Sequence, residues 1–186
     1  MLFIRFGSAY AFAAFFNPLR DEFDSTRGDI SLVFALTGFL YFGLGVVSGP
    51  IAVRAGPRKV VFGGMLLVAA GLGLASVAQA VWQVYLTYSL GVGVGLGMAY
   101  VPAVGAVQRW FFRRRGMASG LAVSGIGAGT LVIPLLAAGA IAWLGWRETY
   151  LLLAGLALLI GIPAALAIEQ NRPHVVSARM ETRRRL

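Results

Sequence analysis

The sequence predicts an all-α membrane protein: six transmembrane helices arranged as a bundle of two inverted three-helix repeats. Three observations predict it. The 186-residue chain is 59% hydrophobic and 12% charged, with a mean hydropathy of +0.80. A soluble domain of this size leaves too much area wet to hide that much apolar surface. The apolar residues also come in runs of the length that ~30 Å of hydrocarbon demands, roughly 20 residues per helix. Finally, cations gather in alternate loops, and one turn sequence recurs after 89 residues. The runs lack the alternating pattern of a membrane barrel, so helices are the form that satisfies their backbone polar groups in lipid.

Six runs qualify: residues 1–19, 30–53, 60–78, 84–107, 117–141 and 149–168. Together they make a transmembrane domain over 1–168, followed by a basic tail over 169–186. The first run carries Arg5 and is followed by "FNPLRDEF", not by a small-residue cleavage site. It therefore reads as a membrane helix rather than a signal peptide, with the chain starting inside or near that helix. Pro102, Pro134 and Pro163 are expected kinks.

Orientation follows from Lys and Arg in short loops. The second connection holds Arg54, Arg58 and Lys59; the fourth holds Arg109, Arg113, Arg114 and Arg115. With Arg5 and the tail, this side collects 13 of the 16 cations. The opposite side has Arg20, Arg27 and Arg147. Both termini and the second connection are therefore expected in the cytoplasm. Topology also accounts for most of the net charge of +9, so nucleic acid is not needed to explain it. The aromatic–cation mixture "RWFFRRRG" reads the same way, as an interface anchor.

The recurring turn pairs "GPIAVRAGPRKVVFGGMLL" with "AGAIAWLGWRETYLLLAGL", matching Gly56 to Gly145 and Arg58 to Arg147. Three crossings change sides, so a three-helix unit repeated once must be inverted. Inverted repeats of this kind build transporter halves.

The glycines and polar residues suggest less than they first promise. "GVGVGLG" has Leu96 where the third glycine of a dinucleotide loop belongs, and no strand precedes it. The spacings Gly91/Gly95, Gly93/Gly97, Gly116/Gly120 and Gly125/Gly129 instead predict close helix approach. There is no cysteine, and the single His174 lies in the tail, so no metal site or enzyme constellation appears. No cofactor is implied. The spans carry no acid away from their edges, which argues against a proton relay in this chain alone. Tyr10, Asn17, Thr37, Tyr41, Tyr88, Tyr100 and Ser124 are the polar candidates for a substrate path. Tyr10 and Asn17 are two helical turns apart and share a face.

At this point the residues resemble a known family. "GPIAVRAGPRK" is similar to the helix 2–helix 3 signature of the major facilitator superfamily, Gly-x-x-x-Asp-Arg-x-Gly-x-Arg-[Lys/Arg], through Gly49, Arg54, Gly56, Arg58 and Lys59. Its "GPR" form resembles the monocarboxylate transporter branch and its oxalate/formate antiporter-like relatives. "YAFAAFFNPLRDEF" resembles that branch's helix 1, "GLGMAYVPAVGAVQRWFFRRRGMASGLAVSGIGAG" its helix 4–helix 5 passage, and "GWRETYLLLAG" its approach to helix 6. The likeness covers the N-terminal six helices of a twelve-helix family. Val53 stands where the signature has its acid, and Tyr10 pairs best with a helix 1 Lys found in some members.

The resemblance implies a secondary transporter half, moving a small organic anion such as a monocarboxylate, oxalate or formate by alternating access. It favours Tyr10, Asn17, Tyr100 and Ser124 as the substrate path, since helices 1 and 4 line the family's central cavity. It makes Gly49, Arg54, Gly56, Arg58 and Lys59 a conformational motif, and Arg109, Arg113, Arg114 and Arg115 a cytoplasmic gate or anchor. A second six-helix half, or a second copy, is the expected partner within a bacterial inner membrane. The alternative is a non-transporting truncated, regulatory or assembly membrane protein.

Overall fold

The computed structural model describes residues 2–110 and 115–166; of these, the side chains of Arg5, Ala99, Val104, 106–110, Arg115, Ala118 and Ala122 lie outside the description. Helices account for nearly all of it, and no strand occurs among the described residues. We number them α1 (Leu2–Tyr10), α2 (Phe12–Glu22), α3 (Arg27–Ala55), α4 (Pro57–Ser76), α5 (81–110), α6 (Arg115–Leu144) and α7 (146–166).

Five of these helices contain stretches long and apolar enough to cross a membrane: Arg27–Ala55, Pro57–Ser76, Val81–Ala103, Ser119–Leu144 and Trp146–Leu166. They fall on the second to sixth predicted spans. The first predicted span is divided between α1 and α2 by a single residue, Ala11, which keeps right-handed dihedrals (φ −58°, ψ −19°). The Ala14 N–H turns back to the Ala11 carbonyl at 2.8 Å, a tighter helical step. Pro18 lies inside α2 and takes one more hydrogen bond out of this region.

The helix ends follow the sequence closely. Thr26 caps α3 in a reciprocal box: Asp29 N–H donates to Thr26 Oγ1 (3.2 Å), and Thr26 N–H donates to the Asp29 carboxylate (3.0 Å). Pro57 opens α4 at a position where a missing N–H costs nothing. Between α3 and α4 the chain turns on Gly56 (φ 88°, ψ 138°), and between α6 and α7 on Gly145 (φ 91°, ψ 167°). That region of backbone space belongs to glycine. The local bonding repeats as well. Gly56 N–H donates to Ala52 O and Gly145 N–H to Ile141 O, both at 3.0 Å. Val60 N–H donates to Gly56 O (3.4 Å) and Thr149 N–H to Gly145 O (3.3 Å).

None of the prolines at the predicted kinks ends its helix. Pro102 and Pro134 lie within continuous helix. Pro163 follows a wide-turn segment, Ala157–Gly161, which loosens the turn its ring would otherwise strike. A second, longer wide-turn segment, Tyr85–Val94, opens α5 and contains no proline.

Glycine decides the tightest packing. A side chain at Gly71 would meet the Gly91 backbone at 2.6 Å, and one at Gly95 would meet Gly64 O at 2.6 Å, so α4 and α5 run antiparallel with their backbones nearly touching. On the other face of α5, Gly93 and Gly97 sit against Thr37 and Tyr41 of α3, in parallel register. The two predicted glycine pairs of "GVGVGLG" thus serve two different neighbours. On α6, Gly129 lies against Phe3 of α1, whereas no described residue presses on Gly116, Gly120 or Gly125.

The core follows from this arrangement. α4 lies at the centre, touching α3, α5 and α7, while α1 packs along α6. Met65, Val68 and Leu72 of α4 are fully buried together with Phe15, Leu19, Tyr88 and Tyr150. The outer helices are different. Phe39, Phe42 and Val46 of α3, and Leu121, Leu135 and Trp143 of α6, stand at least two-thirds exposed. Apolar faces of that extent belong against lipid or another protein.

Candidate functional site

The break after Tyr10 shapes the first candidate region. Carbonyls just before a helix interruption lose their intrahelical partners. Here those of Ala9 and Ser8 lie 3.0 and 3.3 Å from the Tyr88 hydroxyl, which donates to them from α5. Tyr88 is completely buried and its hydrogen is used in holding α1. It is a structural tyrosine and is removed from the candidate path. Thr37 is likewise buried, with Oγ1 donating to Val33 O at 2.7 Å, and Ser89 Oγ donates to the same carbonyl at 3.0 Å.

The four favoured path residues are not brought together into one site. Tyr10 is 48% exposed and lines a cavity of about 240 Å³ with Phe12, Ala13, Phe16, Ser31 and Phe34. Asn17 is exposed on the same side of the first span, two turns further along, and its amide bonds to nothing among the described residues. Tyr100 belongs to a separate aromatic cluster: its ring centroid lies 5.5 Å from Phe6 and 6.0 Å from Tyr41, both edge-on. Phe6 and Tyr41 complete the triangle at 5.7 Å. This cluster joins α1, α3 and α5. Ser124 is exposed on α6, and its hydroxyl folds back onto Leu121 O at 2.9 Å.

The basic connections lie at one end of the bundle. Arg54 and Lys59 are exposed, Arg58 is half-buried, and Gly49 approaches Val101 of α5 at an ordinary distance. Val53, which stands where the signature has its acid, is 82% exposed. Arg109 and Arg115 begin and end the fourth connection, but their side chains lie outside the description, and Arg113 and Arg114 lie outside the described residues.

The opposite end holds a feature that sequence reasoning missed. Arg147 donates through Nη1 to the Ser76 carbonyl (3.1 Å) and through Nη2 to Glu22 (3.2 Å), while its guanidinium lies 4.3 Å from the Trp146 ring centre. One side chain thereby ties α2, the C-terminus of α4 and the start of α7. The carbonyl end of a helix carries partial negative charge, which suits a guanidinium. Nearby, the Tyr85 hydroxyl donates to Asp29 O at 2.9 Å and joins α5 to α3. The signal for Arg147 was its place in the recurring turn; its partners, 71 and 125 residues away, left no local pattern. No cluster of metal-binding side chains occurs among the described residues.

Stacked apolar helices, glycine-mediated contacts and charges confined to the helix ends define a polytopic helical membrane protein. The family model of the Major Facilitator Superfamily matches residues 1–185, and the chain belongs to that superfamily. This is a family of transporters, not of enzymes, and the chain is of the monocarboxylate-transporter-like N-terminal-half type. It is 31% identical to human monocarboxylate transporter 2 over 160 residues, covering 84% of this chain and 34% of that protein. It is 32% identical to human monocarboxylate transporter 14 over 146 residues, covering 78% and 29%. A fujikurins efflux protein of Gibberella fujikuroi is 33% identical over 120 residues, covering 64% and 25%. The chain spans about a third or less of the length of the curated relatives it matches.

Proposed function

We propose that the chain acts as the N-terminal half of a secondary transporter for a small organic anion, a monocarboxylate or an oxalate or formate. It works by alternating access with a second six-helix half or with a second copy of itself. The observation that carries this reading is the similarity to monocarboxylate transporters across most of the chain. The exposed Tyr10 and Asn17 support it, because hydroxyl and amide donors without hydrogen-bond partners among the described residues can bind a carboxylate. Tyr100 on α5 and Ser124 on α6 complete the proposed set of path residues.

The packing supports the inverted repeat. Shifting by 89 residues turns the Leu40–Gly93 approach into a contact of Gly129 with residue 4; Gly129 lies against Phe3. The α3–α5 and α1–α6 interfaces thus share a register to within one residue, and both run parallel. In this reading α1 and α2 together make the first of six crossings, the bundle occupies 1–168, and both termini and the Gly56 turn face the cytoplasm of a bacterial inner membrane. Gly49, Arg54, Gly56, Arg58 and Lys59 act as the conformational motif, and Arg109 with Arg113, Arg114 and Arg115 as the cytoplasmic gate or anchor.

Uptake of labelled lactate, formate and oxalate into proteoliposomes tests this. Uptake is expected when the chain is reconstituted with a matching second half or as a dimer. No uptake of any of the three, with or without a partner, would overturn the assignment.

A further inference from the structure

At the basic end, a cavity of about 330 Å³ lies between the start of α4 and the end of α7, lined by Arg58, Lys59, Phe62 and Leu166. The lining divides cleanly by chemistry. Arg58 and Phe62 are four residues apart and Lys59 and Phe62 three apart, so all three share one stripe of α4. Leu166 closes the apolar side from α7. The two cations stand at the start of α4, and Phe62 follows one turn further along the same helix. Neither cation has an acidic partner among the described residues: the ion pairs there belong to Arg20 and Arg147. Arg58 is also half-buried. Burying part of an unpaired guanidinium against apolar surface is unfavourable unless an anion compensates it. The backbone adds to this, since Gly56 offers no side chain to cap α4, leaving the Arg58 and Lys59 N–H groups without acceptors among the described residues.

We propose that this cavity is a seat for an anionic phospholipid. Its phosphate lies between Arg58 and Lys59, and the start of its acyl region lies along Phe62 and Leu166. The division into a cationic and an apolar part matches an amphiphile, which a free phosphate ion is not. The seat is also separate from Tyr10, Asn17 and Tyr100, so it does not depend on what the protein transports.

Native mass spectrometry of the full chain in detergent, titrated with phosphatidylglycerol, phosphatidylcholine or inorganic phosphate, tests the proposal. One phosphatidylglycerol is expected to stay bound per chain, with phosphatidylcholine and inorganic phosphate retained at least several-fold less. Arg58→Gln and Lys59→Gln are each expected to weaken phosphatidylglycerol about fivefold, the scale of one cation at an anionic headgroup. Arg54→Gln removes the same charge from the same turn outside the cavity and is expected to leave binding unchanged. Phe62→Ala weakens the lipid without altering the response to inorganic phosphate. Circular dichroism confirms that each variant keeps its helices, and the exposed Lys59 provides a variant with little risk to folding. Equal loss in Arg54→Gln and Arg58→Gln would reduce the effect to general surface charge and overturn the seat. Equal retention of phosphatidylcholine, or equal binding of inorganic phosphate, would overturn it too.

Discussion

The turns at Gly56 and Gly145 share a backbone and differ in everything attached to it. Both glycines adopt φ near 90°, both receive the same pair of helix-end hydrogen bonds, and both are followed two residues later by arginine. Arg147 is fastened to Ser76, Glu22 and Trp146. Arg58 has no protein partner among the described residues and lines an open cavity beside Lys59. One backbone frame thus carries a tie at one end of the bundle and an uncommitted cationic edge at the other. The tie binds helices within the bundle. The free edge is available to what lies outside it: lipid, or in the proposed assembly a second half.

The shared frame predicts the largest effects. Gly56→Ala and Gly145→Ala should each destabilise the chain by about 1–3 kcal/mol, because an L side chain is strained at that φ and ψ. Thermal unfolding in detergent measures this. A neutral effect at either glycine would break the equivalence of the two turns.

The difference in attachment predicts the next effect. Arg147→Gln should cost about 1 kcal/mol, through a lost carbonyl bond and a partly solvated ion pair. Arg58→Gln should stay within about 0.5 kcal/mol. Equal costs would contradict the contrast. Glu22→Gln is smaller again, about 0.2–1 kcal/mol, and should fade at high salt because both side chains are more than a third exposed. Persistence of the full effect in 1 M salt would indicate a buried pair instead.

Val53→Asp should change the stability of the isolated chain least of all, since Val53 is mostly exposed. It restores the signature's acid beside Arg54. In an assembled transporter it is expected to shift the balance of inward- and outward-facing states, read by solvent accessibility on the two sides. An unchanged balance would argue against any latch at this turn.

What the sequence could say about this fold depended on the range of each signal. The second to sixth spans were legible because apolar length is local. The glycine turns at Gly56 and Gly145 were legible for the same reason. The first span was visible as apolar length, but its division at Ala11 was not, because Ala11 is a good helix former and its surroundings break the helix. The wide turns at Tyr85–Val94 carry no proline to announce them. Tyr88 looked like a path residue because a tyrosine in an apolar run has no visible partner. Its partners are backbone carbonyls 79 and 80 residues away. The candidate path was the least legible part. Tyr10 and Asn17 do share an open side, but Tyr100 and Ser124 lie on other helices, and no periodicity connects them.

The inversion of the two turns is the claim on which the rest depends, and the chain suits a direct test because it contains no cysteine. Ala55→Cys and Leu144→Cys are equivalent positions, 89 residues apart, each exposed next to its turn glycine. Labelling each with a membrane-impermeant maleimide in sealed right-side-out and inverted vesicles measures their sidedness. The account predicts that Ala55→Cys labels in inverted vesicles and Leu144→Cys in right-side-out ones. Labelling of both from the same side would contradict it.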